Sequence, residues 1–212
     1  MEAITREEKI MSGENLTPIT REEMFLAKAA GQDVEIPEPI TRKEMFLRDI
    51  AVNGGGGEML SGMIDGTATE VSDDTVESVR DYAFYGMTSL VNVSLPKVKS
   101  IGKYVFNLCN NLALTELPSE LTIIGNSAFV GCSKLAVTSL PSGLTKLDNY
   151  AFRNCTGLAY IEFKGTPTSI SSTAFNSCTN LTVINVPWAE GAVANAPWGA
   201  TNATINYNYT GE

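Results

Sequence analysis

The sequence predicts an α+β repeat protein, a solenoid of short stacked units preceded by short N-terminal helices, and three observations carry that prediction. Phe84, Phe106, Phe129, Phe152 and Phe175 follow one another at spacings of 22, 23, 23 and 23 residues, and a fixed period of this length marks a solenoid. Other columns keep the same register: Met87, Cys109, Cys132, Cys155 and Cys178; Leu90, Leu112, Leu135, Leu158 and Leu181; Val79, Ile101, Ile124, Leu147 and Ile170. A different repeat occupies the start of the chain, Ile4-Thr5-Arg6-Glu7-Glu8, Ile19-Thr20-Arg21-Glu22-Glu23 and Ile40-Thr41-Arg42-Lys43-Glu44.

Each copy of that leader repeat has Thr followed three residues later by Glu, the capping box that satisfies two free amides at a helix start. Three helix starts are therefore predicted. In the second and third copies Ile19 with Met24 and Ile40 with Met45 have the spacing of a hydrophobic staple. These helices carry Phe25 and Leu26, and Phe46 and Leu47, on apolar faces. At about 10 residues each they are marginal alone in water, so they need a partner: one another, a second copy of the chain, or a different protein. A leader with only nascent helices is the plainer alternative; residues 1–53 are read as an anchoring segment. Between the helices, Val34-Glu35-Ile36-Pro37-Glu38-Pro39 reads as an extended connector.

Gly54-Gly55-Gly56-Gly57 reads as a hinge, and charged residues thin out after it. Residues 58–75, with a hairpin expected around Asp65-Gly66, lack the Ala-Phe signature and are expected to cap the solenoid. Five units then fill 76–187. In each, a short strand ends at Val79 or its equivalents, a turn or short helical piece carries Ala-Phe, and a second strand follows the repeated Leu. In Tyr160-Ile161-Glu162-Phe163, alternation sends Ile161 and Phe163 inward and Tyr160 and Glu162 outward. The same alternation predicts an outward row of Asn92, Ser94, Leu114, Glu116, Val137, Ser139, Tyr160, Glu162, Val183 and Asn185. Residues 188–212 hold both tryptophans and are expected to cover the last open edge. A carbohydrate-binding patch on Trp188, Trp198, Tyr207 and Tyr209 is the sharper alternative for that end.

The units resemble the BspA-like, or Treponema-type, leucine-rich repeats, whose pattern is roughly Ile-Gly-x-x-Ala-Phe-x-x-Cys-x-x-Leu followed by a strand ending in Leu-Pro. Ile124-Gly125, Ala128, Phe129, Cys132, Leu135 and Leu140-Pro141 match throughout, and the likeness covers about residues 64–187. Departures include Met87 for Cys, Val105 for Ala and Leu147-Asp148 for Ile-Gly. The resemblance implies a leucine-rich-repeat solenoid and a role in adhesion to extracellular matrix or other cells. The duplicated Pro-Ile-Thr-Arg-x-Glu-Met-Phe-Leu leader looks like the N-terminal anchors of virion or tail-associated proteins of phages and prophages in Gram-positive gut bacteria.

Composition narrows the chemistry. The chain has 212 residues, a net charge of −9 and no histidine, which removes imidazole-dependent acid–base, nucleophilic and zinc chemistry. So acidic a chain does not suit nucleic acid. No run approaches the roughly 20 apolar residues of a membrane span, and the first residues do not read as a secretion signal. The four cysteines sit one repeat apart, in a row about 5 Å between neighbours whose side chains project in parallel. That geometry suits neither disulfides nor tetrahedral zinc, so they read as core thiols. Asp73-Asp74 reads as a solvated turn, and the Gly run lacks the Lys-Ser/Thr of a phosphate loop. No catalytic set, cofactor or metal is expected.

The expected function is therefore a non-enzymatic binding module of a phage or prophage particle. Residues 1–53 would dock on a virion or other assembly protein, with homo-oligomerisation through the helices a further option. The solenoid would meet a host-surface protein or glycan. Such a protein assembles in the bacterial cytoplasm and is released by lysis. The alternatives are a structural or decoration protein without ligand recognition and a bacterial cell-surface adhesin.

Overall fold

The structure, a computed structural model, describes residues 66–74 and 76–211. The strands in chain order are β1 (Glu70–Ser72), β2 (Ser78–Val79), β3 (Asn92–Ser94), β4 (Ser100–Ile101), β5 (Ile123–Ile124), β6 (Ser139–Leu140), β7 (Lys146–Leu147), β8 (Tyr160–Phe163), β9 (Ser169–Ile170), β10 (Val183–Asn185) and β11 (Thr204–Asn206). Every pairing is parallel. One row of strands is continuous, β2-β4-β5-β7-β9; the other is split into β1-β3 and β6-β8-β10-β11.

Parallel stacking places each residue on its own copy one turn away, so the core is built of columns. The five Phe rings stack face to face at centroid separations of 5.1, 5.1, 5.2 and 5.5 Å. The column Leu90, Leu112, Leu135, Leu158 and Leu181 and the column Val79, Ile101, Ile124, Leu147 and Ile170 are buried beside them. Outside, threonines make a ladder of the same pitch: Thr122 Oγ1 donates to Lys99 O at 2.8 Å, Thr145 to Thr122 O at 3.0 Å and Thr168 to Thr145 O at 2.9 Å.

The expected α+β class is corrected to an all-β solenoid of about six turns. Among the described residues no helix forms. The Ala-Phe segments, read as turns or short helical pieces, are turns because their backbone leaves the right-handed region on both sides of the ring. Two residues before the aromatic, Tyr82, Tyr104, Ser127 and Tyr150 have positive φ; two residues after it, Gly86, Leu108, Gly131, Asn154 and Ser177 do. A helix cannot accommodate such residues. Their amides bond between turns instead: Tyr104 N to Asn126 O at 2.9 Å, Phe106 N to Ala128 O at 2.7 Å and Leu108 N to Val130 O at 2.8 Å. The three helices expected in the leader, and with them the anchoring residues Ile19, Met24, Phe25, Leu26, Ile40, Met45, Phe46 and Leu47, lie outside the described residues.

The two ends join the same lattice. β1, in the stretch expected to cap the solenoid, pairs with β3 in the register Glu70↔Asn92; the first limb of the expected hairpin lies outside the described residues. At the other end β11 continues the sheet from β10. Trp198, 23 residues after Phe175, accepts the Phe175 amide at 2.9 Å. Its ring does not extend the Phe stack but turns toward Phe163 and Trp188, at 5.8 and 6.2 Å.

Two substitutions weigh the column against the turn. Phe129→Ala, which removes the middle ring of the stack, should cost about 3–5 kcal/mol. Leu108 is 43% exposed in a left-handed conformation. That conformation costs roughly 1–2 kcal/mol for a non-glycine residue, against about 0.5–1 kcal/mol for the extra chain entropy of glycine. Leu108→Gly should therefore raise stability, by about 0.5–1 kcal/mol. Urea unfolding checks both, and a destabilised Leu108→Gly would contradict the backbone argument.

Candidate functional site

The outward row predicted from alternation holds in full in two units, those of β3 and β8. Asn92 and Ser94 on β3 are exposed, and Tyr160, Glu162 and Val183 on β8 and β10 are partly exposed. Ser139 is also partly exposed and Glu116 fully so. Leu114 and Val137 are corrections: they are 9% and 1% exposed, pointing into the core. The cause is one residue along. Where β8 and β10 have buried Ile161 and Ile184, these units have exposed Thr115 and Thr138, and the neighbouring apolar side chain goes in instead.

Asn185 is the third correction, outward in register yet 4% exposed. Its Nδ2 donates to the Tyr160 hydroxyl at 3.1 Å, and Asn206 Nδ2 donates to its Oδ1 at 2.8 Å. The Tyr160 hydroxyl donates to Glu162 Oε2 at 3.1 Å, and Lys164 Nζ meets Glu162 Oε1 at 2.5 Å. Burial, with the Glu162 carboxylate beside it, pushes the Tyr160 phenol up to about 12. The C-terminal residues lie alongside: Tyr209 N donates to Val186 O at 2.9 Å, and a Cβ at Gly211 would stand 3.6 Å from Glu162 Oε1. This part of the strand face is already satisfied within the chain.

The open part lies between β3 and the second unit. The first unit is one residue shorter than the rest, between Leu95 and Ile101 against Leu117 and Ile124. Residues 114–117, in the unit that follows, form no strand, and the row breaks there. Ala113 N still donates to Val91 O at 2.9 Å, but among the described residues no backbone bond joins 92–95 to 114–117. Leu117 is left half-exposed, whereas its equivalents Leu95, Leu140, Phe163 and Val186 are buried. The break opens a cleft of about 440 Å³. Its floor is apolar, from Val79, Val98, Ile101 and Phe106; its rim includes Asn92, Ser94, Thr115 and Glu116. Four predicted site residues thus meet here, Asn92, Ser94, Leu114 and Glu116. Missed from sequence were Val93, Thr115 and Leu117, although the single spacing of 22 marks the place.

The cysteines are structural. Cys109, Cys132, Cys155 and Cys178 are buried thiols, and each Sγ donates to a Phe carbonyl of the preceding turn: to Phe84 at 3.0 Å, Phe106 at 3.1 Å, Phe129 at 3.0 Å and Phe152 at 2.9 Å. Burial raises the Cys132 and Cys155 thiols well above their ordinary range and Cys178 to about 12. The carbohydrate patch is corrected as well. Trp188 and Trp198 are buried and pack on Phe163, leaving only Tyr207 and Tyr209 partly exposed. Among the described residues no helix is long and apolar enough to cross a membrane, and no group of His, Cys, Asp or Glu could hold a metal ion.

The thiols give a pH dependence of definite sign. In the fold Cys132, Cys155 and Cys178 keep their protons above the ordinary value of 9.0, whereas in the unfolded chain they ionise there. Their contribution is complete below about pH 9 and is lost as the pH rises toward 12. The urea midpoint should fall between pH 8 and pH 11, and native thiols should resist alkylation until the chain unfolds. A midpoint that rose with pH, or rapid alkylation of the native protein, would contradict the buried row.

The sequence profile described as "BspA type Leucine rich repeat region" matches residues 68–188 in six copies. Among solved structures the chain is similar to a leucine-rich repeat protein of T. pallidum, with 24% identity, 57% of this chain and 72% of that one covered, and a TM-score of 0.47. A leucine-rich repeat protein from Bacteroides ovatus shares 26% identity over 56% of this chain and 31% of that one, with a TM-score of 0.44. A leucine rich cell surface protein from Faecalibacterium prausnitzii shares 21% identity over 56% and 54% of the two chains, with a TM-score of 0.29. No curated protein matches.

Proposed function

Because the chain belongs to the BspA type leucine-rich repeat family, we propose that it is a non-enzymatic binding module whose contact surface is the strand face around the β3 cleft. The cleft carries this reading. It combines an apolar floor with a polar rim, the make-up of a ligand site, on a face whose other end is occupied by the chain's own residues. The partner is a protein or glycan of a host surface. The module is displayed on a bacteriophage or prophage particle through residues 1–53. The support for that placement is the leader itself, with its three Ile-Thr-Arg-x-Glu copies and its Gly run. A bacterial cell-surface adhesin would use the same cleft without docking through the leader, and a decoration protein would need no cleft.

Removing residues 1–53 should abolish incorporation into particles while the thermal unfolding of the remaining chain is preserved; unchanged incorporation counts against the particle reading. Leu117→Arg fills the cleft from a half-exposed position. It should lower binding to host cells at least tenfold with Tm shifted by only a few degrees, and unaltered binding would remove the cleft from the function.

A further inference from the structure

We propose that the cleft receives an extended peptide segment of the partner, which adds as a strand beside β3, sets an apolar side chain on the floor and presents a Lys or Arg to Glu116. The inference rests on the cleft being the contact surface and goes further by choosing protein over glycan.

The backbone makes the choice. In a parallel ladder, alternate residues bond to opposite neighbours. Asn92 N bonds to Thr69 O at 3.2 Å and Ser94 O accepts Asp73 N at 3.0 Å, so both face β1. Val93 therefore turns its N–H and C=O to the other side, into the cleft, where no described backbone group meets them. Any ligand that covers the apolar floor also removes these two groups from water. Leaving them unpaired costs more than the hydrogen bonds themselves would give. A lipid chain covers the floor but cannot pair them, and a glycan can pair them through hydroxyls but brings no apolar side chain for the floor. A peptide strand offers a donor and an acceptor at the repeat of the sheet, as in other strand-addition complexes, while alternate side chains fill pockets.

Charge sets the second requirement. Among the described residues Glu116 is the one charged residue lining the cleft, and it forms no ion pair with the others. The chain as a whole carries −9. A basic side chain next to the apolar anchor complements both.

The test is a set of fluorescein-labelled heptapeptides that alternate Lys with Val, Ile, Leu or Phe, titrated against the full chain by fluorescence anisotropy. Saturable binding is expected for at least one, weakened tenfold or more when the same peptide carries backbone N-methyl groups on alternate residues. Glu116→Gln should weaken it severalfold at low salt, and Leu117→Arg should abolish it. Equal affinity for the N-methylated peptide overturns strand addition, as does failure of every peptide while host-cell binding remains sensitive to Leu117→Arg. In that last case the cleft still stands as a contact surface; if host-cell binding is insensitive as well, both readings fall.

Discussion

Everything in this solenoid depends on parallel, in-register stacking of nearly identical turns. The sheet repeat sets the distance between copies at about 4.8 Å, and the five Phe rings, at 5.1 to 5.5 Å, follow it in an offset stack that suits aromatic faces. The same constraint governs the polar groups. A Phe carbonyl in each tight turn faces inward, and the Cys of the next turn is the small, apolar residue with a donor able to reach it. Met87 holds that slot in the first unit and supplies bulk without a donor.

A lattice this strict makes a small irregularity consequential. One residue is missing between Leu95 and Ile101, and in the unit that follows the strand row breaks at residues 114–117. The continuous row β2-β4-β5-β7-β9 passes the same point unbroken, so the break is confined to the face that carries the cleft. At its C-terminal end that face is closed by the network of Tyr160, Glu162, Asn185 and Asn206. Open sheet edges are normally paired or blunted. An edge held open beside an apolar floor, within a rigid stack, is where the fold leaves capacity to bind.

The columns were legible in the sequence because stacking repeats the same demand every turn: Phe on Phe, Cys on Cys, Leu on Leu. The class was legible only in part. A stretch such as Asn149-Tyr150-Ala151-Phe152-Arg153 suggests a short helical piece, and nothing in it shows that Tyr150 and Asn154 take positive φ. The outward row failed where Thr115 and Thr138 exchanged roles with Leu114 and Val137, since alternation fixes the period but not which phase is buried. Asn185 failed for a different reason, because its covering comes from residues about 20 positions later in the chain. Trp198 suggests a surface aromatic until it is counted 23 residues from Phe175.

Amide hydrogen exchange by NMR tests the open edge directly, since protection reports whether a backbone group is paired. The Glu162 amide, bonded to Thr138 O at 2.9 Å, should be strongly protected, and the Val93 and Glu116 amides at the cleft should exchange at least a hundredfold faster. Equal protection at Val93, Glu116 and Glu162 would mean that the strand row is continuous in solution and that the cleft does not exist.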